Sequence, residues 1–195
     1  MPTAQSLPGH DEILARVVPQ REKWTAFRPK DAIVPGPGQE SCWDFPRPPQ
    51  VRDVSGRVEV DWQGDTIAAT DTAKMVVETA GAPVYFIPPG DVKPGILVPK
   101  NRLSLCEWKG VAVYFDLAMN GKRKEDAAFA YPDPLTDLGQ GYEAIAGWVA
   151  FYAGKVDAAR VGGEAVTPQP GGFYAGWITS AVTGPFKGEP GSEHW

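Results

Sequence analysis

Apolar and polar residues alternate through the middle of the chain with the two-residue period of half-buried strands. Val58 and Val60 alternate with Glu59 and Asp61, Gly64-Asp65 makes a turn, and Thr66–Thr70 resumes the pattern, so residues 57–70 are expected to form a β-hairpin. A second hairpin is expected from Met75–Thr79 and Val84–Ile87 around Ala80-Gly81-Ala82-Pro83. Beyond the turn Pro88-Pro89-Gly90-Asp91, the segments Leu103–Trp108 and Val111–Leu117 read as a strand pair joined at Lys109-Gly110. Asn120-Gly121 tolerates the positive φ of a tight hairpin turn and leads into a strand at Ala127–Tyr131, with Trp148–Tyr152 the last of the series. Short strands with closely spaced turn signals predict a mostly-β fold, a small rolled sheet or barrel of antiparallel strands.

Outside this stretch the alternation stops. Residues 1–52 read as a Pro-rich arm with a short helix near Asp11–Arg16 and then extended coil from Pro29 to Pro49, because proline donates no ladder hydrogen bond. Trp43 and Phe45 within the arm suggest that part of it lies on the core or on a partner. Residues 53–158 form the β-rich core, and no Gly/Ser or charged linker interrupts 57–158, so one domain is expected. Residues 159–195 form a Gly/Pro-rich tail that also holds Phe173, Tyr174, Trp177, Phe186 and Trp195. So much aromatic area left in water would be costly, so the tail is expected to dock on the core.

Charge narrows the function classes. A net charge of −5 disfavours a grip on nucleic-acid phosphates, and the one basic run, Lys122-Arg123-Lys124, reads as a solvated hairpin tip. The N-terminus lacks the charged and apolar regions of a secretory signal, and every apolar run is interrupted short of the ~18 residues of a membrane span. A reduced, cytoplasmic protein with no membrane partner is expected, its two cysteines Cys42 and Cys106 being free thiols.

The same residue types limit the chemistry. Both histidines, His10 and His194, lie at the chain ends, which argues against a Ser-His or Cys-His catalytic pair. No zinc-ligand spacing, calcium loop, dinucleotide fingerprint or phosphate loop occurs, so neither a metal nor a cofactor is expected. What remains is a set of polar residues embedded among strands. Glu78 follows Met75-Val76-Val77, and Cys106 and Lys109 lie in Leu105-Cys106-Glu107-Trp108-Lys109-Gly110. A half-buried carboxylate needs a partner, and Lys109 is the nearest candidate cation. Cys106 and Lys109 would lie on opposite faces of a regular strand, but a turn over Glu107–Gly110 would bring them together, and an ammonium beside a thiol favours its reactive form. Glu78, Cys106 and Lys109 are therefore the candidate catalytic groups, with Tyr85, Asp91, Tyr114 and Tyr131 as candidate ligand-binding residues. The plainer readings are a structural ion pair, a small buried thiol and core tyrosines.

Several blocks together resemble a known family. They are Thr66-Ile67-Ala68-Ala69-Thr70 running to Val77-Glu78, Val84-Tyr85-Phe86-Ile87-Pro88 with Asp91-Val92, Leu105 through Gly110 with Tyr114, Tyr131-Pro132-Asp133-Pro134, and Val149-Ala150-Phe151-Tyr152. Over about residues 53–158 the chain is similar to the domain of unknown function DUF427, also labelled nucleotidyltransferase-like. The resemblance implies a compact, mostly-β domain and carries over no catalytic residues. The paired metal-binding aspartates that two-metal phosphoryl transfer requires are missing, so the label is not followed. Two functions stay open: a pocket for an unknown small molecule, with or without metal-independent catalysis, and an interaction module whose aromatic arm and tail bind a partner or a second copy in a homodimer. They differ in whether Glu78, Cys106 and Lys109 converge on one cleft.

Overall fold

A computed structural model describes residues 7–192. These residues form one helix, α1 (His10–Arg21), and the strands β1 (Glu40–Ser41), β2 (Gln50–Asp53), β3 (Val58–Trp62), β4 (Asp65–Thr70), β5 (Lys74–Val77), β6 (Val84–Ile87), β7 (Leu97–Cys106) and β8 (Gly110–Met119). After them come β9 (Lys122–Ala130), β10 (Val149–Phe151), β11 (Ala158–Val161), β12 (Glu164–Ala165), β13 (Thr167–Pro168), β14 (Trp177–Ile178) and β15 (Val182–Thr183). The fold is mostly β, as the alternation predicts.

Seven strands pair antiparallel in the order β2-β5-β6-β10-β9-β8-β7, and a second antiparallel sheet has the order β12-β11-β3-β4. The sheets stay open and do not close into a barrel. Tight turns set their register: Gln63-Gly64 between β3 and β4 and Asn120-Gly121 between β8 and β9 all have positive φ, the geometry that matches strand twist in a two-residue hairpin. The first turn thus lies one residue earlier than the expected Gly64-Asp65. The Lys122-Arg123-Lys124 run opens β9, with Arg123 bound to Asp116 on β8.

One face of the large sheet packs on the small one. Val58, Val60 and Trp62 from β3, Ile67 from β4 and Ala159 from β11 meet Tyr85, Ile87, Leu117, Ala128, Val149 and Phe151 from the large sheet in a shared core. Strand periodicity then sends the intervening residues to the opposite face. There Val76, Phe86, Ala112, Tyr114, Phe129, Tyr131 and Ala150 form a second apolar cluster. The register lines up Tyr114, Phe129, Ala150 and Phe86 across four adjacent strands.

The terminal segments carry more structure than their composition suggests. The helix runs past the expected Arg16 to Arg21 despite Pro19 in its last turn. Tertiary contacts hold that turn: Arg21 Nε donates to the Glu107 carbonyl at 2.6 Å, and its guanidinium pairs with Asp137. Ile13 and Val17 pack on Val111 and Leu135. Further along, Cys42, Trp43 and Phe45 bury themselves against Val77 and Ala80, and the arm and tail run together as the parallel pair β1·β15.

Of the tail aromatics, Trp177 packs on the core, and a polar residue joins it. Trp177 is fully buried, stacks on Tyr85 at 5.2 Å and donates its indole N–H to the Phe151 carbonyl at 2.9 Å. Gln169 is buried too, accepting from the Ala82 N–H and donating to the Lys187 carbonyl, both at 2.8 Å. Gly176 makes this possible, because a Cβ there would stand 2.1 Å from the Gln169 amide oxygen. Phe173, expected to pack, is instead 69% exposed. His194 and Trp195 lie outside the described residues. No described helix is long and apolar enough to cross a membrane.

Candidate functional site

The second apolar face of the large sheet is not fully covered. Between it and the segments 169–176 and 187 lies a cavity of about 360 Å³. Its floor is the periodic set of residues on that face: Val76, Val84, Phe86, Tyr114, Phe129 and Tyr131. Glu78, Cys106 and Lys109 all open into it.

The hairpin between β7 and β8 brings Cys106 and Lys109 together. Cys106 pairs with Gly110, so Glu107-Trp108-Lys109 forms the loop, and Gly110 adopts φ +88° to re-enter the sheet. A side chain at Gly110 would be strained at that φ and would press on Leu135 at 3.2 Å. Trp108 turns inward and Lys109 folds back over the sheet, so that Lys109, Tyr131 and the Cys106 thiol line the same cavity. Lys109 also stands 3.8 Å from Glu78 Oε2 and over the rings of Tyr131 and Tyr142.

Burial alone would drive Lys109 toward the neutral amine. The opposing effect of Cys106, Glu78 and Glu107 is stronger and holds its pKa above the usual lysine value. Lys109 is thus an ammonium at neutral pH, a hydrogen-bond and proton donor and not an amine nucleophile. Burial, reinforced by Cys106 and Tyr114, raises Tyr131 well above an ordinary phenol, so it remains a neutral donor. Two proton donors therefore share the cavity with the Cys106 thiol. Deeper in, the Tyr114 and Ser104 hydroxyls lie 2.8 Å apart, and burial and Tyr114 raise Tyr152. The second thiol, Cys42, is elsewhere: it is fully buried, and burial pushes its pKa up to about 12.

Two of the residues expected here are not. Tyr85 sits between Val84 and Phe86 on β6, so when those two face the cavity its ring must face the sandwich core, where it stacks on Trp177. Asp91 lies in the exposed turn Pro89–Asp91, which a bridge from Val92 to Ala68 fastens beside the small sheet. Neither lines the cavity.

The mouth is built by residues the strand pattern could not reveal. Arg47 Nε is 3.5 Å from Glu78 Oε1 and its Nη2 donates to the Thr79 carbonyl at 2.9 Å. Arg47 and Lys187 both lie over the Trp24 ring, at 4.0 and 5.4 Å from its centroid, while the Trp24 indole N–H donates to Glu107 Oε1 at 3.2 Å. Glu78 is thus shared between Lys109, the cation expected beside it, and Arg47, and its side chain is 32% exposed. The only advance signal was an isolated Trp24 in a polar stretch, which says nothing of where it docks. Among the described residues no three His, Cys, Asp or Glu side chains are arranged to hold a metal ion.

The profile of the domain of unknown function DUF427 matches residues 50–162, more than half of the 195. That span supplies Glu78, Cys106, Lys109, Tyr114 and Tyr131, whereas Trp24, Arg47, Gln169, Tyr174 and Lys187 lie in the flanks. No curated protein matches the chain at a significant level. By that match the chain belongs to the DUF427 family.

Proposed function

We propose that the domain binds a small molecule in this cavity and that Cys106, Lys109 and Tyr131 act on its polar end without a metal. The observation that supports this best is convergence. A carboxylate, a thiol, an ammonium and a phenol from four separate strands or loops open into one aromatic-walled space, the usual composition of a ligand site. Its volume is at the lower end of the ~300–1,000 Å³ typical of such pockets, which favours a compact ligand. Lys109 and Tyr131 would stabilise or protonate an oxygen gaining negative charge, and the Cys106 sulfur is the group placed for covalent attack. The rival reading, an interaction module, draws on Ile33, Val34 and Phe173 as the most exposed large apolar side chains, but one adjacent pair and one single ring fall short of the broad apolar patch that marks a docking surface.

Saturation-transfer NMR with a library of one- and two-ring fragments tests the reading. Fragments should bind the native protein and bind a folded Cys106→Phe variant more weakly, since its ring projects into the cavity. A hit set that binds both proteins equally would remove the cavity from consideration.

A further inference from the structure

We propose that the cavity takes a phenol, its hydroxyl received by Ser104 and Tyr114 and its second polar group, across the ring, turned toward Lys109. This rests on the cavity being a binding site and adds the chemical class. Three observations carry it.

The first is the order of the lining. Phe129 neighbours both Tyr131 and Tyr114, with ring centres 5.9 and 6.1 Å away. On the Tyr131 side the Lys109 ammonium stands over the ring, with Glu78 beside it, so that end is charged. On the Tyr114 side the lining is Ser104, Tyr114 and Tyr152, polar but without charge. A neutral ligand group suits that end, because a carboxylate there would leave its charge unpaired.

The second is a count of protons. The Ser104 and Tyr114 hydroxyls lie 2.8 Å apart, so the bond between them uses one of their two protons. Tyr152, its ring 5.5 Å from that of Phe129, adds a third hydroxyl. A row of hydroxyls in which each donates to the next ends with one proton and several lone pairs unused, and is completed by a group that accepts and donates through one atom. A hydroxyl does both, whereas a carboxylate only accepts.

The third is spacing. Ser104 and Cys106 are two residues apart on β7, in unbroken register with Ala112 and Gly110, and so share one face of the sheet. Two residues along a strand span about 6.5 Å, close to the separation of the substituents on a 1,4-disubstituted benzene ring. Phe86 and Phe129, meeting edge to face at 6.0 Å, offer flat walls for that ring. Ser104, Tyr114, Tyr152 and Lys109 all fall within 50–162, so the family core supplies this selectivity.

NMR titration with 4-hydroxyacetophenone, its 3-hydroxy isomer, acetophenone and 4-acetylbenzoate tests the assignment. 4-Hydroxyacetophenone is expected to bind about tenfold tighter than acetophenone, the yield of one or two buried hydrogen bonds, and tighter than the 3-hydroxy isomer. Tyr114→Phe and Ser104→Ala should each remove most of that margin and leave acetophenone binding unchanged. Equal affinity for 4-hydroxyacetophenone and acetophenone, both weakened by Cys106→Phe, would overturn the phenol assignment while sparing the cavity reading. So would equal binding of the 3-hydroxy isomer, tighter binding of 4-acetylbenzoate, or a margin that survives in both hydroxyl variants. Binding of none of the four, while other fragments settle in the cavity, would have the same meaning. Binding that Cys106→Phe leaves intact would overturn both.

Discussion

Replacing Trp177 with alanine is expected to destabilise the protein by about 3–5 kcal/mol, the range for truncating a buried aromatic core residue. Trp177 is fully buried in the core shared by the two sheets, against Tyr85, and its indole N–H satisfies the Phe151 carbonyl at the end of β10. The substitution removes the ring's contacts, leaves a cavity and strands a buried acceptor. For a chain of this size about 1 kcal/mol shifts the midpoint by ~2–4 °C, so a drop of roughly 10 °C or more should appear in thermal denaturation. Trp177→Phe narrows the comparison, keeping part of the packing while losing the hydrogen bond and the second ring. A change of under a degree or two for Trp177→Ala would show that the tail is not part of the folding unit.

Asp116→Ala should cost about 2–3 kcal/mol, by a different route. Asp116 is fully buried on β8, where its carboxylate accepts from Arg123 Nε at 2.7 Å and from the Asp126 backbone N–H at 2.7 Å and lies 3.3 Å from Lys100. Burial by itself would raise its pKa. The Asp126 N–H, Arg123 and Lys100 together outweigh burial and hold it below the ordinary carboxylate value. Because the unfolded carboxyl titrates near ~3.9 and the folded one lower, this stabilisation is complete above that value and disappears as pH falls through the folded pKa. Denaturation midpoints of the native protein should therefore fall on acidification below about pH 4, and those of Asp116→Ala should fall less steeply. Parallel acid profiles would show that Asp116 is not a linked group.

Strand periodicity made much of the sheet legible. Residues 76 and 78, 84 and 86, 104 and 106, 112 and 114, 129 and 131, and 150 and 152 share one parity within each strand, and most of them line the cavity or the cluster beneath it. Parity alone separates Tyr85 from Val84 and Phe86. It does not say which face is the cavity, because that depends on where the small sheet packs, a non-local fact. Cys106 and Lys109 could be brought together only if the chain turned between them, and the Gly110 at the end of that loop was the available clue. The mouth was not legible. Arg47 sits in the Pro29–Pro49 stretch that reads as coil, Trp24 just ahead of it, and Gln169 and Lys187 in a Gly/Pro-rich tail, so their docking depends on long-range contacts with no local periodicity. Strand β11 was missed for a similar reason: Ala158–Val161 is short, and it is strand because β3 is beside it.

The sharing of Glu78 also changes what replacing Lys109 would cost. With Arg47 still beside it and a third of its side chain in solvent, Glu78 would not be left as an isolated buried charge if Lys109 were replaced. Lys109 therefore bears less on stability than an exclusive buried pair would imply.

Where small molecules settle on the protein tests the proposed ligand site most directly. Crystals soaked with the same fragment library used in solution should show density concentrated in the 360 Å³ cavity, in contact with Cys106, Lys109 and Tyr131. Density confined to the larger groove of about 890 Å³ between the arm and Trp108, with the cavity empty across the whole library, would contradict it.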